Sequence, residues 1–261
     1  GKNTFTEYWP QNKGNQVSQN GSDGVMNFLT SAAANGSIGY DEYSYALQKN
    51  FPVIKVENSA AYFTTPTQYN VAVALTQAQI NYDKSSPNYL LQVLNNVYSY
   101  NDPRTYPLSS YSYGIIPTSA TDSRMNTPKR QTLADFLAYA TCQGQAEMGP
   151  IGYSPLPINL VEASFQQVSL LKQADPGVSL ANVAVQACNN PTFVAGNPSE
   201  NHLAQVAPQP AACDKAGSGP CAATVGIVNQ NPTPSGSVPT SGSGSGGSTS
   251  PGSSQSGGSA G

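Results

Sequence analysis

The sequence predicts an α/β fold followed by an unstructured tail, and three observations predict it. Short runs of β-branched and aromatic residues alternate with stretches whose apolar residues recur every three or four positions. Gly and Pro punctuate the chain, with 24 and 21 of them among 261 residues, which keeps each element short. Residues 229–261 are almost wholly Gly, Ser, Pro and Thr, a composition that buries too little apolar surface to offset the entropy of ordering. A folded part at residues 1–221 and a flexible tether after it are therefore expected.

Taken in order, the first helix is expected from Ser22 or Asp23, either of which can cap the run 24–29, to Gly36 at its end. Its inward side is Val25, Phe28, Leu29 and Ala32. Tyr43, Tyr45 and Leu47 alternate in a way that suits a strand edge and a short helix equally, and residues 52–56 read as a short strand. Thr65, Pro66 and Thr67 open a second helix through Val71, Leu75 and Ile80, with Pro near the first turn where its missing N–H costs least. Further on, Tyr111, Tyr113 and Ile115 alternate with Ser110, Ser112 and Gly114, the period of a half-buried strand. Thr127 and Pro128 begin a long helix with Leu133, Phe136, Leu137 and Ala140 on one side. Another starts near Leu156 and Pro157 and carries Leu160, Val161, Phe165, Val168 and Leu171. After Cys188 the periodicity is lost.

Composition excludes several functions. The longest apolar stretches, such as residues 71–75, fall far short of the roughly 18 residues that span a bilayer. Eleven Lys and Arg against fourteen Asp and Glu leave a net charge of -3, without the basic stripe that nucleic acid requires. Only 10% of residues are charged, and Asn, Gln, Ser, Thr and Tyr do the solvating, as in exported proteins. The chain opens at Gly1 with no initiator methionine and no signal-peptide pattern, which reads as a processed chain or a piece of a longer frame.

Four cysteines allow three pairings. The turn-rich segment 214–220 can bring Cys213 to Cys221, which leaves Cys142 for Cys188; the alternative is four thiols in a reducing compartment. A metal set is not expected, because no Cys-x-x-Cys occurs and His202 is the only histidine. His202 also lacks the Gly-x-Ser-x-Gly elbow of a hydrolase and reads as a solvated loop residue. Asp41 and Glu42 are adjacent, so on a strand they would point apart and make a poor acid and base pair. No nucleophile or cofactor loop is present, and neither an enzyme nor a cofactor is expected. Gly21, Ser22, Asp23 and Gly24 at a helix start are candidates for facing an anion, against the plainer reading of an ordinary cap. The tyrosines at 40, 43, 45 and 98–113 would either stack on a sugar or pack on the core with hydroxyls at the rim, and Trp9 reads as a packing anchor.

Three stretches together resemble a known family. Asn20-Gly21-Ser22-Asp23-Gly24-Val25 with Asn35-Gly36-Ser37-Ile38-Gly39-Tyr40-Asp41-Glu42-Tyr43 is similar to the second-lobe helix and following strand of the phosphate-specific substrate-binding proteins of ABC importers, the PstS type. Tyr106-Pro107-Leu108 with Tyr111-Ser112-Tyr113-Gly114-Ile115-Ile116-Pro117 resembles the strand of that family that returns toward the first lobe. Asp135-Phe136-Leu137-Ala138-Tyr139, Gln143-Gly144-Gln145 and Gly152-Tyr153-Ser154-Pro155-Leu156-Pro157 resemble its D-F-L-x-W…G-Q…G-Y-x-P-L-P ending. The order of the blocks is right, and together they cover about residues 21–168. Ser22 stands where Asn is commoner and Tyr139 where Trp is usual.

The resemblance implies a two-lobed periplasmic-binding-protein-like fold of type II, present only as its C-terminal part. The implied division is 1–105 for the remainder of the second lobe, 106–175 for the return to the first, 176–228 for a disulfide-stapled extension and 229–261 for the tail. The implied function is an exported, monomeric subunit that captures inorganic phosphate for ABC permease subunits at the cell surface or wall. It would touch a membrane only through an anchor outside this sequence. The family's ligands, a Thr-Phe pair, a Ser and an Asp of the first lobe and an R-x-x-x-S-G-T motif, are missing: no Ser-Gly-Thr occurs, and Arg104, Arg124 and Arg130 lie in other contexts. The chain alone is thus expected to bind phosphate poorly. A surface adhesion or glycan-binding module that reuses the tyrosines is the competing expectation.

Overall fold

A computed structural model of the chain describes residues 14–221, Ala195 excepted. Trp9 and the expected tail, residues 229–261, lie outside the described residues, as do the last residues of the segment 176–228. The architecture mixes helices with short strands. Helix α1 (Gly21–Leu29) leads through a 3-10 turn at Ala32–Ala34 to α2 (Tyr43–Gln48), so the ambiguous tyrosine stretch is helical. Strands β1 (Val56–Glu57) and β2 (Phe63–Thr64) pair antiparallel ahead of α3 (Gln68–Leu75). Strands β3 (Gln79–Ile80) and β4 (Gln92–Val93) form a second antiparallel pair, followed by the single turn α4 (Asn95–Tyr98). Two long helices, α5 (Thr127–Thr141) and α6 (Ile158–Ala174), pack on each other. Strands β5 (Phe193–Val194) and β6 (Asn197–Asn201) pair before α7 (His202–Val206), which packs on α3.

Helix α6 organises the core, and the 3.6-residue period explains how. Leu160, Val161, Phe165, Val168 and Leu171 are all buried, as their spacing predicts. Leu160 joins Ala74, Leu75, Leu94 and Val97; Val168 and Leu171 join Ala134 and Val178; Val161 and Phe165 pack on Cys142. One helix thereby serves three clusters, each of its large side chains contributing about 1.5–3 kcal/mol by leaving water.

Five expectations need correction. The strand expected at 52–56 forms only at its end, as β1 (Val56–Glu57), because only there does a partner, β2, pair with it. Helix α1 starts at Gly21, before the expected caps, and its buried residue is Met26, while Val25, Phe28 and Leu29 are half-buried. It also ends at Leu29, and Gly36, at φ +83°, follows the 3-10 turn instead. Helix α3 stops at Leu75, because the Thr76 hydroxyl donates back to the Val73 carbonyl at 2.7 Å and the chain turns; Ile80 then pairs with Gln92. Helix α5 begins where expected, with the Asn126 side chain accepting from the Lys129 N–H, but its buried residues are Arg130, Ala134, Ala138 and Thr141, and Phe136 is 63% exposed. The small side chains let α5 lie close to α6. The expected strand at 110–115 does not form: a strand exists only when a neighbour takes up its backbone groups, and none does so among the described residues.

Both cysteine pairs close as expected, Cys142 with Cys188 and Cys213 with Cys221. The second bridge shapes a loop that grips the β1–β2 hairpin. Asp214 accepts Lys55 Nζ at 2.6 and 2.7 Å and the Cys221 N–H at 3.1 Å, while the Ala216 N–H donates to the Ala61 carbonyl at 2.8 Å.

Candidate functional site

The predicted anion-facing residues occupy the start of α1. Gly21, at φ +66°, and Asp23 are exposed, and Ser22 and Gly24 are half-buried. Asn20 precedes them but its side chain makes no capping bond. The contrast with α3, α5 and α7 is informative, because there Thr67, Asn126 and Asn201 accept from the N–H groups of Asn70, Lys129 and Ala204. The first turn of α1 keeps its backbone donors uncapped by side chains, an arrangement that favours an anion. Asp23 works against it by placing a carboxylate in the same turn. No arginine reinforces the site. Arg104 is held by Asp102 at 2.7 Å and by the Ala204 carbonyl at 2.8 Å, Arg124 by Asp122 at 2.6 Å, and Arg130 is buried with its guanidinium on the Ser119 carbonyl at 2.9 Å.

The turn-rich segment 145–157 is where the chain converges. Gln145 donates to the Ala140 carbonyl at 2.6 Å and accepts the Leu156 N–H at 2.8 Å, which fixes the exit of α5 to the entry of α6. Ser154 donates to the Gln68 carbonyl at 2.8 Å, and Gly149 lies so close to the Gln68 side chain that a Cβ would meet it at 2.3 Å. Gly152, at φ +93°, sits against α2, where a Cβ would stand 2.9 Å from Ser44 Cα. The Tyr153 hydroxyl donates to Glu42 at 2.5 Å, a bond that, helped by burial, pushes the phenol up to about 12. The Tyr106 N–H in turn reaches the Asn70 carbonyl of α3 at 3.2 Å. The first and third of the family-like stretches therefore meet at Glu42 and Ser44, and the second joins them through α3.

Comparison with known proteins points the same way. The chain is 23% identical over 171 residues to the phosphate-binding protein PstS of Methanocaldococcus jannaschii, covering 64% of this chain and 43% of the relative. It is 27% identical over 154 residues to the phosphate-binding protein PstS of Xylella fastidiosa strain Temecula1, and 26% identical to that of strain 9a5c, each covering 59% of this chain and 38% of the relative. The relationship is distant, and the chain spans about two fifths of the length of these relatives. No family profile matches the sequence, and no solved structure gives a significant match.

The other candidates fall into place around this frame. Asp41 takes the Glu42 N–H and Glu42 takes Tyr153, so the two carboxylates are committed to different partners. Tyr111 and Tyr113 meet edge-on, with centroids 6.3 Å apart and planes at 61°, which gives ring packing and no shared flat platform. Tyr40 is 82% exposed and lies near Tyr106, whose hydroxyl is raised mainly by burial. His202 is exposed at the start of α7. Among the described residues no cluster of three His, Cys, Asp or Glu could hold a metal, and no helix is long and apolar enough to cross a membrane. Gln68 and the Lys55–Asp214 pair escaped the sequence reading. For the former the signal in the sequence was a Gln placed, with Asn70, at the head of the apolar run Val71 to Leu75.

Proposed function

We propose that this chain is the C-terminal part of an exported solute-binding protein of the two-lobed type II class, which captures inorganic phosphate for an ABC importer. The observation that carries the reading is the similarity to phosphate-binding proteins from an archaeon and a bacterium over 59–64% of the chain. The uncapped start of α1 supports it, since its first-turn backbone donors take no side-chain cap; in this reading Gly21, Ser22 and Gly24 would face the cleft, and hinge closure would bury a ligand there. Asp23 in the same turn would favour a protonated oxyanion over a fully ionised one, because a carboxylate accepts a proton that sulfate does not carry at neutral pH. Residues 229–261 would tether the domain to the cell surface, and the permease subunits would meet the closed form.

The chain lacks the arginine and the Ser-Gly-Thr that would neutralise and orient phosphate, so most of the binding energy belongs to sequence outside these 261 residues. The test is calorimetric titration of phosphate and of sulfate into this chain and into the chain extended along its gene. Phosphate-selective binding by the extended chain alone is expected. Micromolar phosphate binding by the 261-residue chain would sink the fragment reading, and no binding by either would sink the phosphate reading.

A further inference from the structure

The loop that follows α1 presents a side chain the fold does not use. The sequence holds two Asn-x-Ser triplets without a central Pro, Asn20-Gly21-Ser22 and Asn35-Gly36-Ser37. In an exported chain such a triplet is the acceptor pattern for N-linked glycan, and it belongs to exposed, irregular chain. The structure separates the two. Ser22 lies inside α1 and is half-buried, so the first triplet runs into a helix. Asn35, Gly36 and Ser37 are all exposed and belong to no helix or strand. They ride on a tight turn: the Ser37 N–H donates to the Ala34 carbonyl at 2.9 Å, Asn35 has φ -57° and ψ 124°, and Gly36 has φ +83°. These angles make a type II turn, whose second central residue needs a positive φ that Gly supplies. Just past the turn, Gly39 packs so closely on α1 that a Cβ there would collide with the Leu29 side chain. The Asn35 carboxamide itself makes no hydrogen bond among the described residues.

We propose that Asn35 is an N-glycosylation site, the acceptor of an oligosaccharide from a lipid-linked donor. The inference rests on the reading of the chain as exported, and the two closed disulfides accord with an oxidising compartment. The step forms a bond between Asn35 Nδ2 and the anomeric carbon of the first sugar, and breaks that carbon's bond to a phosphate oxygen of the donor. The lipid phosphate leaves with the bonding electrons, the amide nitrogen gives up one proton, and nothing is oxidised or reduced. Ser37, two residues on, supplies the hydroxyl that the pattern requires. A groove of about 540 Å³ lies beside the turn, with Leu29, Ala32, Ala34 and Phe51 in its lining. This apolar wall suits the flat face of a sugar ring, with Phe51 as its aromatic part. The position also spares the ligand. Asn35 follows the C-terminal end of α1, whereas the candidate anion-facing turn lies at the other end of that nine-residue helix, about 13 Å away. Glycan on Asn20 would cover that turn.

Mass spectrometry of the protein purified from its own organism tests this. Cleavage before Asp23 and Asp41 yields a peptide, residues 23–40, that holds Asn35 and leaves Asn20 outside. That peptide is expected to carry a sugar-containing mass on Asn35, with Asn20 bare. Ser37→Ala, made in the same organism, should abolish the modification, and Ser37→Thr should retain it. A bare peptide from exported chain overturns the proposal, as does a mass gain that matches deamidation of Asn35 alone. Glycan that survives Ser37→Ala, or that sits on Asn20 instead, overturns the assignment to Asn35. Cell fractionation separates this claim from the reading it rests on: unmodified chain in the exported fraction overturns the glycan alone, and unmodified chain confined to the cytoplasm overturns both.

Discussion

Gly152→Ala examines the junction on which the segment 145–157 depends. Gly152 has φ +93°, and a Cβ there would stand 2.9 Å from Ser44 Cα and 3.2 Å from Ser44 N, both backbone atoms of α2. A left-handed conformation costs a residue with a side chain roughly 1–2 kcal/mol. Forcing a methyl group against backbone that cannot rotate away adds about 1–3 kcal/mol. The expected loss is therefore about 2–5 kcal/mol, which at a urea slope of about 2 kcal/mol/M moves the midpoint down by about 1–2.5 M. Gly36→Ala provides the control, since Gly36 has φ +83° but nothing lies within 4 Å of where a Cβ would stand. It should lose only the conformational part, about 1–2 kcal/mol. Equal midpoint shifts for the two variants would refute the claim that α2 and the 149–153 turn are in close contact.

Three further outcomes are expected. Removing Cys142–Cys188, whose partners are 46 residues apart, should destabilise more than removing Cys213–Cys221, 8 residues apart; chain-entropy estimates are about 4 and about 2.5 kcal/mol, read by urea midpoints of the paired Ser variants. Tyr153, raised from 10.0 to about 12 by its hydrogen bond to Glu42, holds its proton more tightly when folded, so its contribution is complete below pH 10 and is lost as pH rises toward 12. The Tyr153→Phe variant should show a flatter stability profile across that interval, and an unchanged slope would count against the bond. Asp102, whose carboxyl the Arg104 hydrogen bonds hold below its ordinary 3.8, contributes stability above that pH and loses it as pH falls through the lowered value. Asp102→Asn should therefore blunt acid unfolding below pH 3.8, measured by circular dichroism against the unsubstituted chain.

What the sequence disclosed depended on how local the determining physics was. The inward face of α6 follows from a repeat carried by its own residues, and the start of α5 from Thr127 and Pro128 beside one another. The disulfide between Cys213 and Cys221 was legible because the turn-rich segment 214–220 joins its ends. Helix α1 was misjudged in its first and buried residues because Ser22, Asp23 and Asn20 are all good caps by type, and which is used depends on where the preceding chain enters. The strand at 110–115 was drawn from a true alternation, yet pairing is a property of two segments and no described segment takes up its backbone groups. Convergence at Gln68, Glu42 and Tyr153 joins residues 86 to 111 positions apart, a distance over which periodicity is silent. The family resemblance reached further than the pattern because it reads such distant residues together.

The grip of the Cys213–Cys221 loop on the β1–β2 hairpin also has a mechanical meaning. A pull on the chain beyond Cys221 cannot unspool the loop, because the disulfide short-circuits it. Tension passes instead to Cys213, to the Asp214 carboxylate clasping Lys55, and to the backbone bridge between Tyr62 and Lys215. These attachments share the load instead of yielding one after another. A domain moored by its C-terminal end would transmit drag into that hairpin first, and the long helices of the core would feel it last.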